Sequence, residues 1–166
     1  TDGGREKFEN SYDDLAASAL RFIAKSGSQS DIKKFAQERA EEFEKRASVT
    51  LRRSSKSTVK QKAETIASLL TQDGYLSTVN HNSIGVEVCQ HHCPVAHVAS
   101  EFPELCEAEA EVMSRLLGTH VQRLATIANG DGVCTTFVPT ITPQAARMPL
   151  AASTSSRKSE VKGARR

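Results

Sequence analysis

The chain has 166 residues and a formal net charge of +2, with 38% hydrophobic and 25% charged residues. This length is typical of one domain that can bury its own core, and so small a net charge excludes neither anionic nor cationic partners. The sequence contains no run of about 18 apolar residues and no secretory leader pattern, so we expect no membrane span and no export.

The cysteine content indicates the cellular compartment. Four cysteines without an export signal predict a reducing, cytoplasmic location, where metal binding or redox chemistry is favoured over disulfide bonds. Because the chain begins at Thr1 rather than at a methionine, we expect a fragment or a processed piece.

The first helix is predicted after a polar segment. Residues 1–10 contain two glycines and are interpreted as a lead-in. The helix is expected to begin near Ser11. Ser11 would be its N-cap, and Asp14, three residues later, would complete a capping box. Gly27 suits the residue past its C-terminus.

Two more helices follow. The second is predicted over 31–47 with Ser30 as its N-cap, and the third over 58–72, because apolar residues recur at helical spacing in both segments. The sequence "QDG" ends the third helix.

The spacing of the apolar residues then changes from that of a helix to that of a strand. The segments "YLSTVN" and "IGVEVC" predict two short strands around a turn. Pro94 and Pro103 are each expected to open a helix, and Gly118 to end the second one. The sequence "NGDG", residues 129–132, predicts a second hairpin. The predicted class is therefore α+β, with three N-terminal helices, then short helices and two small β-hairpins around a cysteine site.

Charge is clustered in three places. The segment 45–62 has seven basic residues and no acid; it could contact DNA phosphates, but we interpret it as an exposed loop and helix start. The glutamates of 101–111 are interpreted as the solvated face of a helix. Residues 141–166 are predicted to be a disordered basic tail.

The four cysteines are the candidate site residues: Cys89, Cys93, Cys106 and Cys134. Their predicted positions are a strand end, two helix starts and a glycine-rich turn. Helix N-termini and glycine-rich turns present free N–H groups, which stabilise thiolates and the sulfur atoms of clusters.

The residues alone leave several interpretations open. Buried thiols are the simplest. A zinc site would use a close cysteine pair, and spacing favours it as much as an iron–sulfur cluster. Cysteine–histidine catalysis has no orienting third group, so we predict no enzymatic activity. The histidines that could complete a zinc tetrahedron are His91, His92, His97 and His120.

The segment "CQHHCPVAHVASEFPELCEAEAEVMSRLLGTHVQRLATIANGDGVCTTFVP" closely resembles the SufR-type regulators of iron–sulfur cluster assembly, which are winged helix-turn-helix transcription factors. Twelve residues (94–105) separate Cys93 from Cys106, and twenty-seven (107–133) separate Cys106 from Cys134, as in that family. The stretch "TDGGREKFENSYDDLAASALRFIA" is similar to the segment that follows the wing.

The resemblance implies a function. Residues 11–140 would be the effector, cluster-binding and dimerisation part of a homodimeric repressor of the suf operon. Operator DNA would bind through an N-terminal winged-helix domain that this chain lacks, while cluster occupancy would control that binding. No membrane and no small-molecule substrate is implied.

The resemblance also implies the cofactor. Cys93, Cys106 and Cys134 would bind an iron–sulfur cluster, with [4Fe–4S] favoured over [2Fe–2S]. Cys89 resembles an additional family cysteine. The fourth ligand stays open among Cys89, His92, Glu107, Asp131 and solvent. The alternative is a structural zinc-binding domain for protein interaction.

Overall fold

The computed structural model describes residues 2–53 and 57–140, and the side chains from residue 12 onward. The described elements are α1 (Asp2–Ser26), α2 (Gln29–Arg52), α3 (Val59–Gln72), β1 (Ser77–His81), β2 (Gly85–Gln90), α4 (Ala96–Glu101), α5 (Glu104–Leu117), β3 (Gln122–Ala125), a short 3-10 helix (Ile127–Asn129) and β4 (Cys134–Pro139). The predicted α+β class, with three N-terminal helices, is confirmed. None of the described helices has the length and apolar character that a membrane crossing requires.

The two predicted hairpins join into one sheet. All neighbouring strands are antiparallel, in the order β1-β2-β4-β3. The central pairing aligns Gln90 with Cys134 and Gly85 with Pro139. Because the side chains of a strand alternate between the two faces, this register decides which residues of β2 and β4 share a face.

The main core lies between one face of this sheet and the helices α2, α3 and α5. Ile66 and Leu70 of α3 pack with Val112 and Met113 of α5 and with Val88 of β2, and all five side chains are buried. A second cluster joins α1, α2 and α4 through Leu20, Ile32, Val98 and Phe102. The α4 segment is therefore held against α1 by apolar contacts.

Capping residues explain where α3 begins and where α5 ends. Thr58 Oγ1 accepts the N–H of Gln61, and the Gln61 side chain accepts the N–H of Thr58, which is a capping box. Gly118 ends α5 at φ 70°, a left-handed conformation that glycine adopts without a steric penalty.

The predicted start of the first helix near Ser11 is wrong, since α1 already begins at Asp2. The segment between Arg5 and Glu9 consists largely of good helix formers. Adding turns to an existing helix costs less than nucleating a new one. The polar composition therefore did not mark a helix boundary.

The predicted bounds of the second helix are also wrong. Its N-cap is Ser28 rather than Ser30, and the Ser28 N–H donates to Asp31 Oδ2 at 2.7 Å. The helix continues to Arg52, so the first part of the basic segment 45–62 is helical rather than a loop. The predicted basic tail lies outside the described residues.

The core predicts that truncating two different isoleucines has very different effects on folding stability. Ile66 is fully buried, whereas Ile84 is 56% exposed. We expect Ile66→Ala to lower the free energy of unfolding by about 3 kcal/mol, from lost transfer free energy and a residual cavity. Ile84→Ala, the matched control, should change it by less than about 0.5 kcal/mol. Urea denaturation followed by circular dichroism measures both, and equal losses would contradict this core.

Candidate thiol site

Three of the four cysteines line one cavity of about 420 Å³. Cys93 lies in the loop between β2 and α4, Cys106 in the first turn of α5, and Cys134 at the first position of β4. These segments are distant in sequence, and the fold brings them together at one end of the sheet. Residues of α2 also line the cavity.

Cys134 is positioned by the sheet and by a tight loop. It is buried, and its Cα partner Gln90 lines the same cavity. The Ile127 N–H donates to Cys134 Sγ at 3.2 Å. Asp131 Oδ2 accepts the N–H of Thr126 at 2.8 Å and thereby holds the loop. A backbone donor was expected near this sulfur, and the donor comes from the 3-10 helix.

The loop that carries Cys93 is anchored to the start of β1. The backbone N–H groups of His91 and His92 donate to the carbonyl oxygens of Leu76 and Tyr75 at 3.3 and 3.2 Å. The backbone N–H of Val95 also interacts with the Cys93 thiol. Thus two of the three sulfur atoms have a backbone donor.

Cys106 is positioned by the start of α5. Its N–H donates to the Pro103 carbonyl oxygen at 3.0 Å, and its side chain is half-buried. Glu109 follows three residues later, and residues at this spacing share a helix face. Glu109 lines the same cavity, so α5 contributes both a thiol and a carboxylate.

Cys89 lies on the other face of the sheet. It is adjacent to Gln90, which lines the cavity, and neighbouring residues of a strand point in opposite directions. Cys89 Sγ instead accepts a hydrogen bond from Asn80 Nδ2 at 3.6 Å. The structure therefore separates Cys89 from the other three thiols.

The remaining candidate ligands also lie away from the cavity lining. His91 Nε2 is 2.8 Å from Thr78 Oγ1, and His97 Nε2 is 3.5 Å from Asp14 Oδ1. Both histidines are exposed, as are the candidates His92, Glu107 and His120. Asp131 is exposed as well and is used in its own loop.

Several polar residues of the cavity were not predicted as site residues, among them Tyr75, Gln90, Glu109 and Arg123. Glu109 Oε1 accepts hydrogen bonds from Gln90 Nε2 at 3.0 Å and from Arg123 Nη2 at 2.8 Å. Arg123 Nη1 donates to Gln90 Oε1 at 3.0 Å. The spacing of Cys106 and Glu109 could have indicated the carboxylate, whereas no local signal marks Arg123.

Burial dominates the pKa values of the thiols. It raises the pKa of Cys93 to about 11, an effect that the Val95 N–H partly offsets and that the other thiols and Glu109 increase. Burial and the Glu109 carboxylate also raise the pKa of Cys106, while Arg123 lowers it. In the metal-free protein the thiols of Cys93 and Cys106 are consequently protonated at neutral pH, and binding a metal would release protons.

The donor set fits a thiolate-bound iron–sulfur cluster. Such clusters are held by cysteine thiolates and are stabilised by N–H groups near their sulfur atoms. The cavity supplies three thiols and two backbone donors, and Arg123 Nε is buried without a hydrogen-bond partner among the described residues. Within that same part of the chain, no group of three or more His, Cys, Asp or Glu side chains is arranged to hold a metal ion.

Comparisons of the chain with protein-family models, with curated proteins and with solved structures find no match.

The raised pKa of Cys93 predicts slow alkylation. At pH 8 a pKa of about 11 instead of 9 lowers the thiolate fraction about a hundredfold, and the higher nucleophilicity of the more basic thiolate offsets about half of this on a logarithmic scale. We expect metal-free folded protein to react with iodoacetamide at Cys93 about tenfold more slowly than the denatured chain, the matched control. Peptide mass spectrometry measures both rates. Equal rates at pH 8 would contradict the buried position of this thiol.

Proposed function

We propose that this chain is the iron–sulfur cluster-sensing part of a transcriptional repressor of the suf operon, which encodes iron–sulfur cluster assembly. One observation carries the proposal: Cys93, Cys106 and Cys134, the three cysteines named by the resemblance, line the same cavity. They come from a loop, a helix start and a strand. Convergence of these three, and not of Cys89, supports a shared ligand.

The proposed cofactor is a [4Fe–4S] cluster, in preference to [2Fe–2S], with Cys93, Cys106 and Cys134 as its protein ligands. When bound, it supplies a group whose occupancy responds to iron supply and oxidation. Cys89 is not proposed as a ligand, because its sulfur accepts from Asn80 on the opposite face of the sheet.

The protein part of the mechanism begins with three segments that share the site. Ligation by Cys93, Cys106 and Cys134 would hold the β2–α4 loop, the start of α5 and the start of β4 together. Without ligation, each of these segments depends only on its own contacts. Such a set of segments can act as a two-state element.

The loop of Cys93 leads directly into α4, which contacts α1. Val98 and Phe102 pack against Leu20 in a buried cluster. Arg21 binds Glu101 through two hydrogen bonds of 2.7 and 2.6 Å. Since this ion pair is exposed, it contributes little energy, and the apolar contacts hold α4 on α1. A change at the thiols would therefore reach α1 through α4.

Operator DNA is the proposed partner, bound by a homodimer in the cytoplasm through a winged-helix domain outside these 166 residues. A ligand shifts a conformational equilibrium only by its difference in affinity for the two states. The site must therefore bind its cofactor more tightly in the DNA-binding conformation.

Anaerobic reconstitution tests the cofactor. We expect wild-type protein to acquire stoichiometric iron and sulfide with broad visible absorption. Cys106→Ser should lose most of both, because it removes one of the thiols that line the cavity. Cys89→Ser is the matched control and should retain them, since its sulfur lies on the other face.

Two results would contradict the proposal. Wild-type protein without iron and sulfide would exclude the cluster, and bound stoichiometric zinc would support the structural zinc domain instead. Equal cluster loss in Cys89→Ser and Cys106→Ser would contradict the assignment of three thiols to one site.

Hydrogen exchange tests the route from the site to α1. In wild-type protein, cluster loading should slow amide exchange in α4 and in the α1 segment around Leu20 by at least about tenfold, which corresponds to ~1.4 kcal/mol of local stability. Cys106→Ser under the same conditions is the control. Unchanged exchange in α4 of a loaded protein would refute this route while leaving cluster binding intact.

A further inference from the structure

Arg123 is the cationic side chain that the fold holds beside two of the thiols. It lies on β3, lines the cavity, and its side chain is only 16% exposed. Its charge lowers the pKa of Cys106 and would stabilise a thiolate there. Burial acts to lower the pKa of Arg123 itself, but the Glu109 carboxylate raises it, and the net shift is upward. The guanidinium therefore stays charged.

The guanidinium is oriented by two acceptors. Nη1 donates to Gln90 Oε1 at 3.0 Å and Nη2 to Glu109 Oε1 at 2.8 Å. Nε is buried and has no hydrogen-bond partner among the described residues. A buried N–H without an acceptor is destabilising, so a guanidinium fixed in this way favours an anionic group in the cavity.

Two other arginines line the cavity, but each interacts with a residue other than the thiols. Arg46 binds Asp73 through two hydrogen bonds of 3.0 and 2.6 Å. Arg39 interacts with the Tyr75 hydroxyl and is exposed. Among the described residues, Arg123 is thus the cavity arginine whose charge acts on the thiols.

We propose that Arg123 is a positioning residue that compensates the negative charge of the thiolate-bound cluster and raises its reduction potential, with Glu109 acting in the opposite direction. The inference rests on the proposed function. Reduction adds one electron to the site, and a fixed positive charge stabilises the more negative reduced state. Net charge and hydrogen bonds to sulfur are known determinants of cluster potentials.

Two variants separate charge from structure. Arg123→Gln and Glu109→Gln break the same ion pair but remove charges of opposite sign. A purely structural role of the pair predicts changes in the same direction, whereas an electrostatic role predicts opposite ones. Arg115→Gln is the control, because Arg115 forms a comparable pair with Glu44 at 2.6 Å and does not line the cavity.

The measurement is the midpoint potential of anaerobically reconstituted protein, titrated with dithionite as the electron donor and followed by visible absorption. We expect Arg123→Gln to lower the equilibrium constant for reduction about tenfold, which for a one-electron couple is about 59 mV. Glu109→Gln should raise this equilibrium constant, and Arg115→Gln should leave it unchanged.

The outcomes distinguish this inference from the proposed function. Wild-type protein that acquires no iron and sulfide overturns both. A cluster-bearing wild type whose potential is unchanged in Arg123→Gln, or moves in the same direction in both cavity variants, overturns only the role of Arg123. Should Arg123→Gln fail to retain a cluster, Arg123→Lys decides: retention of the cluster supports the charge role, and its loss refutes it.

Discussion

The antiparallel pairing of β2 with β4 is the constraint on which the site depends. It places Gln90 opposite Cys134 at one end of the two central strands, so that a hydrogen-bonding amide and a thiol share one face. The same register turns Cys89 toward Asn80 on the other face. A slip of one residue in either strand would exchange the two faces, and Cys134 would then leave the cavity.

Helix α5 completes the cavity because it serves the core and the site with different faces. Val112 and Met113 are buried against the main core, while Cys106 and Glu109 line the cavity. The carboxylate, in turn, orients Arg123 from the neighbouring strand. The apolar packing of α5 therefore determines the distance between the ion pair and the thiols, and core stability and site geometry are linked through one helix.

Burial gives the thiol site its chemical character. A buried thiol resists ionisation, so Cys93 and Cys106 have raised pKa values and are poor nucleophiles in the metal-free protein. A metal that binds these thiols must displace their protons. This environment does not suit a cysteine nucleophile, which requires a lowered pKa.

Local signals in the sequence determined the α+β class, both hairpins and the Gly118 terminus of α5, because helix periods, strand alternation and caps depend on neighbouring residues. The start of α1 and the end of α2 escaped these signals, since the helices extend through polar segments. Which face of β2 meets the helices, and hence the separation of Cys89 from the other thiols, was decided by tertiary packing. Arg123 belongs to the same category, since its partners Gln90 and Glu109 are 33 and 14 residues away. The sheet brings Gln90 near Arg123, and the packing of α5 brings Glu109.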